Sequence, residues 1–200
     1  LGALAEGADV VLLQEAPLVN DGWHTADDAY FHAFAPGYAT RRTPTGVLTI
    51  TDTAPLVQCN LSAREPWLRS SKATAVTEYA LRGRADTLLI VNIHAVNFTF
   101  GLGAFDRQLR AASRIIARHR GPVIFAGDFN TWRDSRLARL ESLVSPRGLQ
   151  SVPFATDNRK RVFGQALDHV YVRGFDVVSA TSYETDTSDH NPMRVWLSAT

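Results

Sequence analysis

Two hundred residues, 45% of them apolar and 20% charged, suit one globular domain with a sizeable core. The formal net charge of +1 provides no global field for nucleic acid or an anionic membrane, so any polyanion contact has to be local, at clusters such as Arg41-Arg42 or Arg159-Lys160-Arg161. The single cysteine, Cys59, excludes an internal disulfide and fits a reducing, cytoplasmic compartment, and no apolar run reaches the ~20 residues of a membrane span.

Leu1 to Ala8 reads as the end of a helix. Asp9-Val10-Val11-Leu12-Leu13-Gln14-Glu15 is a buried strand ending in an acid, which this segment alone favours as a surface or capping Glu over a metal ligand. Asn20 to Thr45 is irregular and polar. Gly46 to Thr51 alternates as a strand, with Pro55 to Cys59 as its expected partner. Arg64-Glu65-Pro66-Trp67 forms a turn. Lys72 to Leu81 and Thr87 to His94 make a hairpin across Arg82-Gly83-Arg84, which leaves His94 at its far end. Ala104 to Arg120 is an amphipathic helix, with Phe105, Leu109, Ala112, Ile115 and Ile116 on its apolar face. Gly121-Pro122 stops it.

Val123-Ile124-Phe125-Ala126-Gly127-Asp128-Phe129-Asn130 follows, an apolar strand running into Gly-Asp-Phe-Asn. Period two puts Asp128 and Asn130 on one face and Phe129 on the other. An ordinary turn is the competing reading, since Asp and Asn are turn formers. Arg133 to Val144 suggests a helix buried along Leu137, Leu140, Leu143 and Val144. Gly148 to Arg161 is loop-like. Leu167 to Arg173 is a strand, with Phe175 to Ala180 expected to pair with it across Gly174. Ser188-Asp189-His190-Asn191-Pro192 precedes the last strand, Met193 to Leu197. Hairpins mixed with a few helices, without regular strand–helix alternation, argue against a doubly wound parallel sheet and for two packed sheets with helices outside.

Collected, the strand ends present Glu15, His94, Asp128, Asn130 and Asp168, with Asp189-His190 just before the final strand. Unpaired acids and imidazoles are costly to bury, so they belong at one rim. Several carboxylates with few basic partners call for a cation, and all-oxygen ligands favour Mg²⁺ or Mn²⁺. No two of the six histidines have zinc-helix spacing, and there is no Gly-rich phosphate loop and no Gly-x-Ser-x-Gly elbow. A divalent ion with two histidines suits attack of water on a phosphoester.

Gln14-Glu15, Asn92-Ile93-His94, Gly127-Asp128-Phe129-Asn130, Asp168-His169-Val170 and Ser188-Asp189-His190 together resemble the five successive motifs of the endonuclease/exonuclease/phosphatase superfamily, in order, from Val10 to Leu197. That superfamily includes pancreatic-type deoxyribonuclease, exonuclease III-type repair nucleases, inositol polyphosphate 5-phosphatases and bacterial sphingomyelinases. Asn92 to Phe98 and Arg64-Glu65-Pro66 further resemble a bacterial branch of it. The resemblance implies a single domain over residues 1–200 of mixed α/β (α+β) class, a four-layer α/β sandwich of two mixed β-sheets flanked by helices. It implies that Glu15 binds the metal with Asp189 as second ligand or supporter, that Asp128 orients or deprotonates the attacking water, and that Asn130 holds the phosphate. It gives His190 the scissile phosphate, Asp168 the tautomer of His190, and His94 the phosphate or the leaving group. Glu65 resembles the acid that orients this histidine in deoxyribonucleases, at a different spacing. His169 is read as structural. The family's first strand carries an Asn of the metal site, and no equivalent stands before Asp9, so that strand is expected to be missing. Thr51-Asp52 stands where a Ser-Arg pair is often found.

The leading expectation is a Mg²⁺- or Mn²⁺-dependent phosphodiesterase, a nuclease among the candidates, acting as a monomer without a membrane span. A phosphomonoesterase or lipid phosphodiesterase on the same site is the near alternative, and a non-catalytic binding module of the same fold is the alternative from another class.

Overall fold

The computed structural model describes residues 5–18, 30–39, 43–99 and 101–200. In chain order it contains β1 (Val10–Pro17), β2 (Phe31–Ala39), β3 (Pro44–Thr51), β4 (Val57–Arg64), β5 (Ser71–Ala80), β6 (Thr87–His94), α1 (Gly103–Arg118), β7 (Val123–Asp128), α2 (Asp134–Val144), β8 (Gln150–Ser151), β9 (Arg161–Val162), β10 (Gln165–Ala166), β11 (Asp168–Arg173), β12 (Phe175–Ser182) and β13 (Met193–Ala199). The apolar runs β6, β7 and β11 lie side by side inside a six-stranded sheet of order β4-β5-β6-β7-β11-β8. The sheet is mixed: β6 and β7 run parallel, with α1 as the crossover between them, while β11 pairs antiparallel to β7.

The two faces of this sheet are buried by different means. On one, Val91, Ile93, Phe125 and Tyr171 pack against Phe105, Leu109, Ala112 and Ile116 of α1 and Leu140 and Val144 of α2. On the other, Ala126, Val170 and Val172 meet Leu12 of β1 and Met193 and Val195 of β13, while Ala73 and Ala75 meet Ala35 and Val47. The second face is therefore covered by the β1-β3-β2 sheet and the β12-β13 pair. Asn92 ties the layers together. Its side chain is fully buried; it accepts from Gln14 Nε2 at 2.7 Å and donates to the Leu48 carbonyl at 3.1 Å. Among the described residues, both α-helices of more than one turn lie on the six-stranded sheet, and none is long and apolar enough to cross a membrane.

Several sequence expectations are corrected. β4, which contains Val57 to Cys59, pairs with β5 and not with β3. It is the exposed edge of the large sheet, and only Leu61 and Ala63 reach the helix-side core. Phe175 to Ala180 does not pair with β11. Both edges of β11 are taken, by β7 and β8, so the chain turns at Gly174 (φ +74°) and β12 pairs with β13. The stretch Asn20 to Thr45 contains β2 and the start of β3, whose alternation is obscured by Pro36, Gly37 and the small buried Ala33 and Ala35. Gln150–Ser151, inside the expected loop, is a short edge strand. Leu1 to Leu4, Asn20 to Ala29 and the Arg41-Arg42 pair lie outside the described residues.

Gly127 sits at a close approach of β7 to β6. Its φ of +140° is one that side chains rarely adopt, and a Cβ there would lie 2.0 Å from the Ile93 carbonyl oxygen. Gly127→Ala is expected to cost about 3 kcal/mol or more of stability by strain and steric clash. Chemical denaturation measures it, and an unchanged midpoint would contradict the close approach.

Candidate active site

The site begins with register. His94 is paired with Asp128 across β6–β7, and Asp128 is paired with Asp168 across β7–β11. Three strands thus deliver one imidazole and two carboxylates to a single row at the rim, all three residues buried. The strand ends cannot fray, because buried side chains clamp the backbone that follows. Gln108 of α1 donates to the His94 carbonyl at 3.0 Å and accepts from Val96 N at 2.9 Å. Arg136 of α2, fully buried, donates to the carbonyls of Asn130 and Val96 and to Thr99 Oγ1, with its guanidinium 4.0 Å from the Phe105 ring centre. Glu65 accepts from Ser70 Oγ and from Asn97 N.

Asp128 carries the least comfortable charge. Burial, then the neighbouring Asp168 carboxylate, pushes its pKa up, opposed by His190, by the Asn130 N–H and by Lys72. Asn130, at φ +51°, donates its backbone N–H to Asp128 Oδ1 at 2.8 Å and its amide to Asp128 Oδ2 at 3.0 Å. The second amide hydrogen goes to the Ala95 carbonyl at 3.0 Å. Asn tolerates this left-handed backbone better than most residues, which suits it to hold a carboxylate two positions upstream.

His190 reaches the row from the loop between β12 and β13, which Asn191 pins through its bonds to Thr185 N and the Asn158 carbonyl. Its Nδ1 donates to Asp168 Oδ2 at 2.7 Å. That bond raises the imidazole pKa to about 9 against the cost of burial, with Asp168, Asp128 and Asp189 adding attraction. His94 behaves oppositely. Burial, then Lys72, lowers it to about 3, so it is neutral, and its Nε2 accepts from Lys72 Nζ at 2.6 Å. His94 Nε2 also lies 3.5 Å from Asp128 Oδ2 and 3.7 Å from Glu15 Oε1.

Glu15 stands at a register slip between Leu13 and Ala16, with φ +54°. A non-glycine residue held there costs on the order of 1 kcal/mol and is characteristic of functional positions. The distortion places a half-exposed carboxylate against His94 and Lys72. Asp189 is exposed on the loop beside His190. His169 is buried away from the row and bonds to Thr131 Oγ1 at 2.7 Å, a structural role. Glu65 is bonded to Ser70 and Asn97; the side chain bonded to the His94 ring is Lys72. Sequence reading missed Lys72, and also Tyr38, whose ring lies under the Lys72 ammonium and whose hydroxyl pKa is raised by burial and by Glu15.

The donor set fits a hard divalent cation. Carboxylates of Asp128 and Asp168 lie together, Glu15 stands outside that cluster against His94, and Asp128 is raised by burial first and by the neighbouring Asp168 charge second. Ligand atoms of Asp128, Asp168 and His190 lie within 4.8 Å of one another. The Asp168–His190 bond already commits those two to each other and Asn130 holds both oxygens of Asp128, which leaves the half-exposed Glu15 as the carboxylate outside those bonds.

Known proteins share this architecture. The model of the Endonuclease/Exonuclease/phosphatase family matches residues 2–190. A UPF0294 protein of Yersinia enterocolitica is 43% identical over 190 residues, covering 94% of this chain and 72% of that one. Among solved structures, D. rerio TDP2 complexed with single strand DNA product superposes with a TM-score of 0.69 at 17% identity, covering 96% of this chain and 86% of that one. The mannosyl-6-phosphatase of Bacteroides thetaiotaomicron superposes with a TM-score of 0.65 at 16% identity, covering 95% and 85%.

The Asp168–His190 pair makes stability depend on pH with a definite sign. A histidine raised to about 9 when folded stabilises fully below its unfolded value of about 6.5 and loses that contribution as pH rises through about 9. The denaturation midpoint of His190→Gln is therefore expected to fall furthest below the unmodified protein's on the acid side of neutrality, and the gap is expected to close in alkali. A gap that widens with pH would contradict the pairing.

Proposed function

Because the chain belongs to the endonuclease/exonuclease/phosphatase family, whose members are metal-dependent phosphoesterases, we propose that it hydrolyses a phosphodiester with the help of Mg²⁺ or Mn²⁺, nucleic acid being one candidate substrate. The observation that carries this reading is the row of His94, Asp128 and Asp168 with His190 bonded onto its end. The metal, held by Glu15 with support from Asp189, would supply a Lewis acid that neutralises charge on the phosphoryl oxygens.

The chain's own groups then divide the work. Asp128 accepts the proton of the attacking water, for which a carboxylate pKa raised toward neutrality is well suited. Asn130 fixes the orientation of that carboxylate through two bonds. His190, cationic and anchored through Nδ1, has Nε2–H left to donate to a non-bridging phosphoryl oxygen as negative charge develops there. Asp168 keeps the imidazole in that orientation. His94, neutral, contributes as a hydrogen-bonding group beside the phosphate or the leaving group.

Phosphomonoester hydrolysis on the same residues is the second reading, favoured by the additional cation of Lys72 beside His94. The related folds cover both bond classes in name: one neighbour holds a single-strand DNA product, the other is a mannosyl-6-phosphatase. A non-catalytic binding module is disfavoured on energetic grounds. A scaffold gains nothing from burying Asp128 beside a second acid or from holding Glu15 in a strained backbone.

Asp128→Asn is expected to lower kcat about 10³-fold and His190→Ala about 10²-fold on whichever phosphoester the protein cleaves, with folding intact. Full activity in Asp128→Asn would remove the mechanism. The rate is expected to rise with pH as Asp128 loses its proton and to fall as His190 loses its own near 9, so a profile that keeps climbing above that value would contradict a cationic His190.

A further inference from the structure

A phosphoryl group needs N–H donors, and this site has committed most of its own. Both amide hydrogens of Asn130 are used, by Asp128 Oδ2 and the Ala95 carbonyl. His190 has spent Nδ1–H on Asp168, and His94 Nε2 is an acceptor for Lys72. Facing them are the carboxylates of Glu15, Asp128 and Asp168, so an arriving anion meets more repulsion than donation.

Lys72 is the exception. It opens β5 just after the turn that Glu65 and Ser70 hold, and it is buried at 7% exposure. Its ammonium makes one hydrogen bond, to a neutral imidazole, at 2.6 Å. The nearest carboxylate oxygen, Glu15 Oε1, is 3.7 Å away, too far for a direct bond, and Tyr38 offers only its ring face at 5.6 Å. An ammonium has three donors, so two here have no hydrogen-bond acceptor among the described residues. Buried lysines are ordinarily paired more fully than this. Lys72 also acts on Asp128 and His94 electrostatically, as His190 does, so the two cations sit at the same row.

We propose that Lys72 is a substrate-binding residue whose free N–H groups hold a phosphoryl oxygen, the partner to His190 in an anion cradle; the assignment rests on the phosphoesterase reading of the site. Its ligand class is the phosphoryl anion, whether free phosphate or an ester. Lysine serves as a compact point charge for such groups, with His94 fixing its position.

The test is calorimetric titration of inorganic phosphate into the whole chain, with a chelator and again with Mg²⁺, for the unmodified protein, Lys72→Met and Lys72→Arg. The proposal expects Lys72→Met to raise the phosphate Kd at least about tenfold in both conditions and Lys72→Arg to stay within about threefold. On a generic phosphoester, Lys72→Met is expected to raise KM by more than it lowers kcat. Should Lys72→Met unfold, Lys72→Gln, which keeps a donor for His94 but no charge, carries the same expectation. An unchanged Kd in the neutral variant, an Arg variant as weak as the neutral one, or no phosphate binding by the unmodified protein up to about 10 mM would each overturn it. Phosphate binding that depends on Lys72 without turnover of any phosphoester would leave this inference standing and remove the catalytic reading instead. Turnover with a Kd indifferent to Lys72 would do the reverse.

Discussion

Everything at this site depends on the burial of Asp128 between two partners fixed by strand register. A carboxylate placed in the middle strand of three, with an acid on one side and an imidazole on the other, cannot drift from its neighbours without breaking the sheet. Its desolvation is unfavourable by itself, and much of the surrounding structure offsets it: the Asn130 amide and N–H, the His190 cation and the Lys72 ammonium all favour the charged form. The arrangement holds this carboxyl well above the ordinary aspartate range. It also explains why the two histidines differ. His190 has a carboxylate bonded to it and is held cationic; His94 is more deeply buried, with an ammonium bonded to it, and is held neutral.

Keeping such a row aligned requires rigid ends, and the helices supply them. α1 and α2 cover the apolar face of the central strands, yet each also sends one polar side chain through to the backbone beyond the row. Gln108 holds the chain after His94, and Arg136 holds both that chain and the turn after Asp128. The guanidinium is desolvated enough to be pushed down to about 10, so its bonds to carbonyls and its contact with Phe105 have to be well formed. On the opposite face Asn92 performs the same service between the sheets. Packing and positioning are one network here.

The central strands were legible because both faces are apolar. β6, β7 and β11 announce themselves as continuous hydrophobic runs, and the candidate row is the last residue of β6 and of β7 and the first of β11. Pairing partners were harder. Local pattern pairs Pro55 to Cys59 with β3 and Phe175 to Ala180 with β11, whereas the edges of β3 are filled by β1 and β2 and those of β11 by β7 and β8, a long-range fact that no local pattern encodes. β2 was hidden by Pro36 and Gly37. Among site residues, Glu15, His94, Asp128, Asn130, Asp168, Asp189 and His190 stand out as polar groups closing apolar strands or filling a short motif. Lys72 gives no such signal, since a lysine starting a strand normally faces water. Arg136 does carry a signal, since it lies four residues before Leu140 and eight before Val144, on the buried stripe of α2. Tyr38 belonged to a stretch without visible periodicity.

The direct test of the account is the metal dependence of phosphoester cleavage by the unmodified chain. A generic phosphodiester, a generic phosphomonoester, plasmid DNA and RNA would each be incubated with chelator and then with excess Mg²⁺. Cleavage of at least one that is absent with chelator and restored by Mg²⁺ is the predicted result, and the substrate that responds identifies the bond class. Cleavage indifferent to the chelator, or none on any substrate with Mg²⁺ present, would contradict a metal-assisted phosphoesterase built on this row.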